Sequence, residues 1–256
     1  MELWTPEHVQ TLLPALAAML LVSFLLRLWL LKKPIGVRMI PLKIISVVLV
    51  VLEIGKQVTS YTRGYDLYCL PFHFCSLFIF SLPAMAFYNG KNRQKVYGVV
   101  SALCAALTLL MLIYPNLIYS AGNIKAYAED FMSLHTVTFH NLVMLAFFLI
   151  LALNIQEEAM PGENRRIVIF VLCFCAVSAT MAHLLKTNYA NFYTCNIPVF
   201  ETIRAGLIPV VGSVVTQLIY VLILCVLNVG FVLGSYWLYR LFRRLPSTKK
   251  QKITNA

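Results

Sequence analysis

Hydrophobic positions in this chain come in long unbroken runs rather than in alternating or stripe-like patterns. Apolar stretches near residues 9–31, 40–60, 67–88, 96–117, 131–153, 166–185 and 207–242 are separated by short polar links. A bilayer core takes about 20 apolar residues per helix. The pattern therefore predicts an all-α polytopic integral membrane bundle of seven transmembrane helices, one domain over 1–256. The last run would measure about 54 Å as a single helix, too long for an ordinary span. Pro209 and Gly212 near its start predict a short or re-entrant piece over 204–214, then a span over 215–242. The first run is flanked by Glu2 and Glu7 and is long for a signal peptide, so it reads as a membrane helix. No internal repeat suggests an inverted-repeat transporter.

Composition sharpens this. Residues are 60% hydrophobic and 12% charged, with mean hydropathy +0.79, where a soluble domain carries about 25% charged. A soluble enzyme or nucleic-acid binder is excluded. The net charge of +11 points to nucleic acid only until its placement is read. Of the 21 Lys and Arg, sixteen fall on one side: the links after the first helix (Arg27, Lys32, Lys33, Arg38, Lys43), the third (Lys91, Arg93, Lys95) and the fifth (Arg165, Arg166), and the tail from Arg240. The positive-inside rule then predicts the N-terminus outside, the C-terminus cytoplasmic and a multi-pass protein of the cell membrane. The basic tail suits an anionic cytoplasmic leaflet.

The seven cysteines include no C-x-x-C pair, and most lie in apolar runs, where a free thiol acts as a small hydrophobe. Cys69 and Cys195 both fall near the outer side; they are expected unpaired rather than as a disulfide.

Ionisable side chains inside spans are costly and mark function. With the predicted orientation, Glu53 and Lys56, His73 and Cys75, His135 and His140, and His183 all fall in the outer half. Asn188 and Tyr189 follow the sixth helix in K-T-N-Y-A-N-F-Y. The opposite half carries no comparable set. A polar cavity opening outward is expected. Each residue also has a structural reading. Glu53 and Lys56, three apart, form a neutralising pair. His135 and His183 cap the interface, while His140, about 13 Å along its helix, needs a hydrogen-bond partner at that depth. Pro71 and Pro83 are expected to loosen the third helix beside His73.

The stretch Leu70 to Leu77, L-P-F-H-F-C-S-L, resembles the L-P-x-H-x-C motif of the YwaF-like (TP-type) family of small bacterial integral membrane proteins. Tyr114–Pro115, His140 in F-H-N-L and Thr187–Asn188–Tyr189 agree with it in order and spacing over nearly the whole chain. More remotely, the pattern is similar to eukaryotic transmembrane protein 164, an acyltransferase that moves a fatty acyl chain onto lyso ether phospholipids. In that relative a cysteine directly precedes the motif histidine and is taken as the nucleophile. Phe72 stands there in this chain, and the nearest thiol is Cys75. The resemblance implies His73 and His140, with Asn188, as site residues.

Three functions follow as expectations. A phospholipid acyltransferase would use His140 as base, His73 to orient the ester or donate to the oxyanion, and Cys75 as a less favoured nucleophile. Asn188, Tyr189, Glu53, Lys56, His135 and His183 would line the substrate site. A zinc-dependent lipid hydrolase needs three ligands, and the five-residue spacing of His135 and His140 serves one ion poorly. A transporter, receptor or assembly factor would use the same cavity without turnover. No cofactor or metal is implied, and the partners are membrane phospholipids.

Overall fold

A computed structural model of the chain describes residues 2–194 and 198–243. Among the described residues the regular elements are all helices, without a strand. In chain order the α-helices are α1 (Pro6–Leu30), α2 (Ile35–Arg38), α3 (Ile40–Thr62), α4 (Phe78–Phe87), α5 (Arg93–Ile113), α6 (Pro115–Ile118), α7 (Ala121–Lys125), α8 (Phe131–Ala152), α9 (Glu163–Leu184), α10 (Pro198–Val211) and α11 (Ser213–Arg243). Six segments among the described residues are long and apolar enough to cross a membrane: α1, α2–α3, α5, α8, α9 and α11. This is a multi-pass membrane protein.

The bundle is built around α5, which packs against α4, α8, α9 and α11. Its sequence explains the position. Gly98, Ser101, Ala102, Ala105, Ala106 and Thr108 are small and buried, so neighbouring backbones approach closely without hydrophobic drive, as packing in lipid requires. At the rim, α1 packs against α8 and α7 and turns Leu20, Leu21, Phe24 and Leu28 outward. On α3, Leu42, Ile45, Ser46, Leu49, Glu53 and Ser60 recur every three or four residues and form one buried stripe.

The third predicted helix, 67–88, is not continuous. Two 3-10 turns, Leu67–Cys69 and Phe74–Leu77, flank an extended stretch, and only α4 continues as α-helix. Pro71 lies in the break, where it removes a donor and holds Leu70 extended (φ −61°, ψ 147°). Pro83 stays inside α4. At the other expected irregularity, Gly212 (φ +82°) separates α10 from α11. The piece before it is a full helix from Pro198, longer than the 204–214 segment anticipated.

The end of the bundle that gathers the basic links is not poor in buried polar groups, contrary to expectation. Arg38 bonds the Leu153 and Asn154 carbonyls at 2.9 and 3.0 Å and pairs with Glu157. Glu163 accepts from Tyr236 and, at 3.0 Å, from Gln156. Arg243 donates to the Gln156 carbonyl at 3.0 Å. Gly98 faces this carboxylate so closely that a Cβ would overlap it. Sequence reading misses the set because Gln156 and Glu163 fall in a polar link that tertiary packing buries, and Tyr236 falls in an apolar run.

Candidate functional site

Four elements meet at the opposite end: the last turns of α3, the broken segment 67–77, the first half of α8, and the turn after α9. On α3, Glu53 carries the central charge. Its carboxylate pairs with Lys56 at 2.7 Å, accepts from Gln57 at 2.8 Å and stands 3.3 Å from His135 Nε2. The last is a close approach rather than an aligned hydrogen bond, since His135 Nε2 has no hydrogen-bond partner. The Glu53 and Lys56 side chains are only 10% and 13% exposed. Gly55 makes room here: a Cβ would meet the Phe131 ring of α8 at 2.6 Å. Asp130 caps α8 by accepting from Ser133 N at 2.9 Å and pairs with Arg63 at 2.8 Å, which lowers its carboxyl pKa.

The broken segment is held by side-chain donors. In a bilayer every backbone carbonyl released from a helix needs a partner. Leu67 O accepts from the Tyr189 hydroxyl, Tyr68 O from His73 at 3.1 Å, Cys69 O from Gln57 at 2.8 Å and Phe72 O from Ser178 at 2.7 Å. The Tyr65 hydroxyl fixes Gln57 at 2.7 Å. Tyr189 is fully buried, with its ring edge-on to Phe72 and His73 at 5.3 Å. Strained backbone flanks the segment: Tyr65 and Ala190 have φ of 29° and 47°.

Hydrogen-bond partners settle the histidine tautomers, because a carbonyl only accepts. His73 Nε2 donates to Tyr68 O, which leaves Nδ1 with its lone pair. His140 Nδ1 donates to Thr136 O at 2.6 Å, which leaves Nε2. His140 lies within electrostatic reach of His135, Lys56 and His73, and Cys75 within reach of Glu53 and Lys56. His73 and His140 touch through no ring contact or hydrogen bond among the described residues.

Not every expected member joins this layer. His183 is exposed, donates from Nδ1 to Ala179 O at 2.8 Å and meets Gln217 of α11 at 3.1 Å. Asn188 folds its own loop, its Oδ1 accepting from Tyr193 N and Thr194 N at 3.3 and 3.1 Å. Cys69 is a buried free thiol, and Cys195 lies outside the described residues, as does the tail beyond Arg243. A cavity of about 340 Å³ does exist, but no histidine lines it; it lies between α1, α7 and α8. Among the described residues no three His, Cys, Asp or Glu side chains are grouped to hold a metal ion.

Two participants escaped sequence reading. Gln57 sits four residues after Glu53, a spacing that places it on the same face. His8, just outside the first apolar run, is fully buried; Nε2 donates to Tyr119 O at 2.8 Å and Nδ1 accepts from Thr5 at the helix start. The Thr5-x-x-His8 spacing of a capping box was its signal. His8 stacks on Tyr119 at 5.4 Å, and Tyr119 lies 6.3 Å from His140.

Comparison with known proteins bears on one of the resemblances read from the motif. The model of the TMEM164 family matches residues 3–228. The chain belongs to the TMEM164 family. The match spans the whole arrangement just described, from the His8 cap through the broken segment and α8 into α11. It rests on the more remote of the two expected likenesses. No curated protein and no solved structure matches the chain.

Proposed function

We propose that this TMEM164 family member is a phospholipid acyltransferase working in the outer leaflet of the cell membrane. The observation that carries this reading is the pair of imidazoles each tied by one ring nitrogen to a backbone carbonyl. Buried His140 and half-buried His73 each spend one ring N–H on a backbone carbonyl, so in the neutral ring each keeps one lone pair, beside the Glu53–Lys56 pair. A neutral imidazole is a competent general base near physiological pH. His140 Nε2 takes the proton from the free hydroxyl of a lysolipid. The oxygen then attacks the ester carbonyl of a donor lipid, and the departing alkoxide recovers the proton. Lys56 supplies the positive electrostatics for the oxyanion. Tyr189, Gln57 and Ser178 position the motif through its carbonyls. Phe72 at the position before the histidine favours direct transfer over a thioester on Cys75.

Seven crossings with the N-terminus outside go with this reading. Arg27 and Arg38 bond the carbonyls that end α8, at the same end as Arg243, so the basic links share one side. The Arg63–Asp130 and Glu7–Lys125 pairs mark the other. The break at 67–77 is then the entry to a third, partly non-helical crossing. Kinship with the YwaF-like bacterial proteins rests on the L-P-F-H-F-C motif.

The test is comparative lipidomics of a deletion strain complemented with wild type or His140→Ala at equal abundance. Restored acyl remodelling by wild type alone supports the enzyme. If neither deletion nor overexpression changes acyl composition, the layer binds without turnover, as in a transporter or receptor, and the enzyme reading falls.

A further inference from the structure

The 340 Å³ cavity is lined by neither His135 nor His140 and is unused by the proposed chemistry. It runs along the helices. Thr11 and Met19 on α1 are separated by about 12 Å of helix rise, and Thr138 and Leu145 on α8 by about 10 Å. Its polarity changes along that length. Thr11, Thr138 and Tyr127 line the end nearer the helix starts, with Tyr127 and Thr138 hydrogen-bonded at 3.0 Å. Met19, Leu142 and Leu145 line the deeper end. Asn141 stands between. One turn above Thr11, Lys125 pairs with Glu7 yet leaves 70% of its side chain exposed. Tyr127 is 41% exposed, so the cleft is open at that level.

A cleft in the side of a membrane bundle is bathed by lipid, not water. Its order of groups is that of a glycerolipid: an exposed ammonium at phosphate level, amide and hydroxyl groups at glycerol level, then hydrocarbon. The volume sits at the lower end for ligand sites, enough for one chain and not two. We propose that α1, α7 and α8 form a binding site for a single acyl chain of a membrane phospholipid, with its glycerol ester carbonyl accepting from the hydroxyl pair of Tyr127 and Thr138. The inference does not rest on the acyl-transfer reading, since binding is read without turnover.

The test uses full-length protein in phosphatidylcholine nanodiscs doped with phosphatidylcholine bearing a mid-chain diazirine, with peptide mapping after photolysis. Labelling is expected to concentrate at Met19 and Leu142 to Leu145 over the outward residues Leu20, Leu21 and Phe24. Leu145→Trp, which fills the cleft, should abolish it. The double variant Tyr127→Phe/Thr138→Val, which keeps the shape and removes the hydroxyl donors, should lower it about fivefold, the worth of one net hydrogen bond. Even labelling around α1 would reduce the cleft to ordinary annular contact and overturn the proposal. So would groove labelling unchanged in Tyr127→Phe/Thr138→Val, which decides the matter should the Trp variant fail to fold.

Discussion

Glu53→Gln is the most informative perturbation of the site. The carboxylate is the counter-ion of Lys56 at 2.7 Å, and both side chains are nearly buried. Glutamine keeps the volume and an oxygen for Gln57, so the change isolates the charge. Lys56 then stays as an unpaired buried ammonium or gives up its proton. Removing one partner of a buried pair costs about 3–5 kcal/mol. For a chain of this size that is a loss of roughly 10 °C in midpoint. Lys56→Met should cost less, because His135 still faces the carboxylate at 3.3 Å. The double variant Glu53→Gln/Lys56→Met removes both charges and should recover most of the loss, giving a large coupling energy in the cycle. Thermal unfolding of detergent-purified protein, followed by tryptophan fluorescence, reads all four corners. Single variants that melt with wild type, or a double variant as unstable as the summed singles, would refute the pairing argument.

Three further outcomes follow from the geometry. Gly98→Ala should displace the Glu163 carboxylate and forfeit its bonds to Tyr236 and Gln156, costing about 3 kcal/mol in the same assay; Gly98→Ala in a Glu163→Ala background should cost far less. Asp130, its pKa lowered by Arg63, caps α8 at all pH values above its titration, and the cap is lost as pH falls through that lowered value. Amide protection at Ser133 and Leu134, taken relative to the intrinsic exchange rate at each pH, should therefore fall in acid by the about 1 kcal/mol a cap contributes, and unchanged protection would count against the cap. Cys75→Ser should keep full acyl-transfer activity, whereas its loss would restore the thioester route.

What the sequence made legible was what the bilayer imposes. The cost of burying charge spaces the polar links and sorts the basic residues, so six long helices and their order could be read directly. The same cost singled out Glu53, Lys56 and His135, which do meet. The break at Pro71 was harder to read. Windowed hydropathy is blind to it, because Leu70, Phe72 and Phe74 stay apolar while the backbone leaves the helix. Its stability depends on donors from Gln57, Ser178 and Tyr189, residues distant in sequence whose convergence is a tertiary property. The Glu163–Tyr236–Gln156 set was hidden for the opposite reason: a polar link looks solvated until packing buries it. His183, placed by depth alone, was drawn away by its rotation on α9 toward Gln217.

Transfer by the purified chain is the most direct measurement of the central claim. Protein in nanodiscs is given phosphatidylcholine with a deuterated acyl chain and an unlabelled lysophospholipid, and the label is followed by mass spectrometry. The account predicts label moving to the lysolipid with wild type, and a fall of about 10²–10⁴-fold with His140→Ala when the general base is lost. Transfer undiminished in both His140→Ala and His73→Ala, or absent from folded wild type, would contradict it.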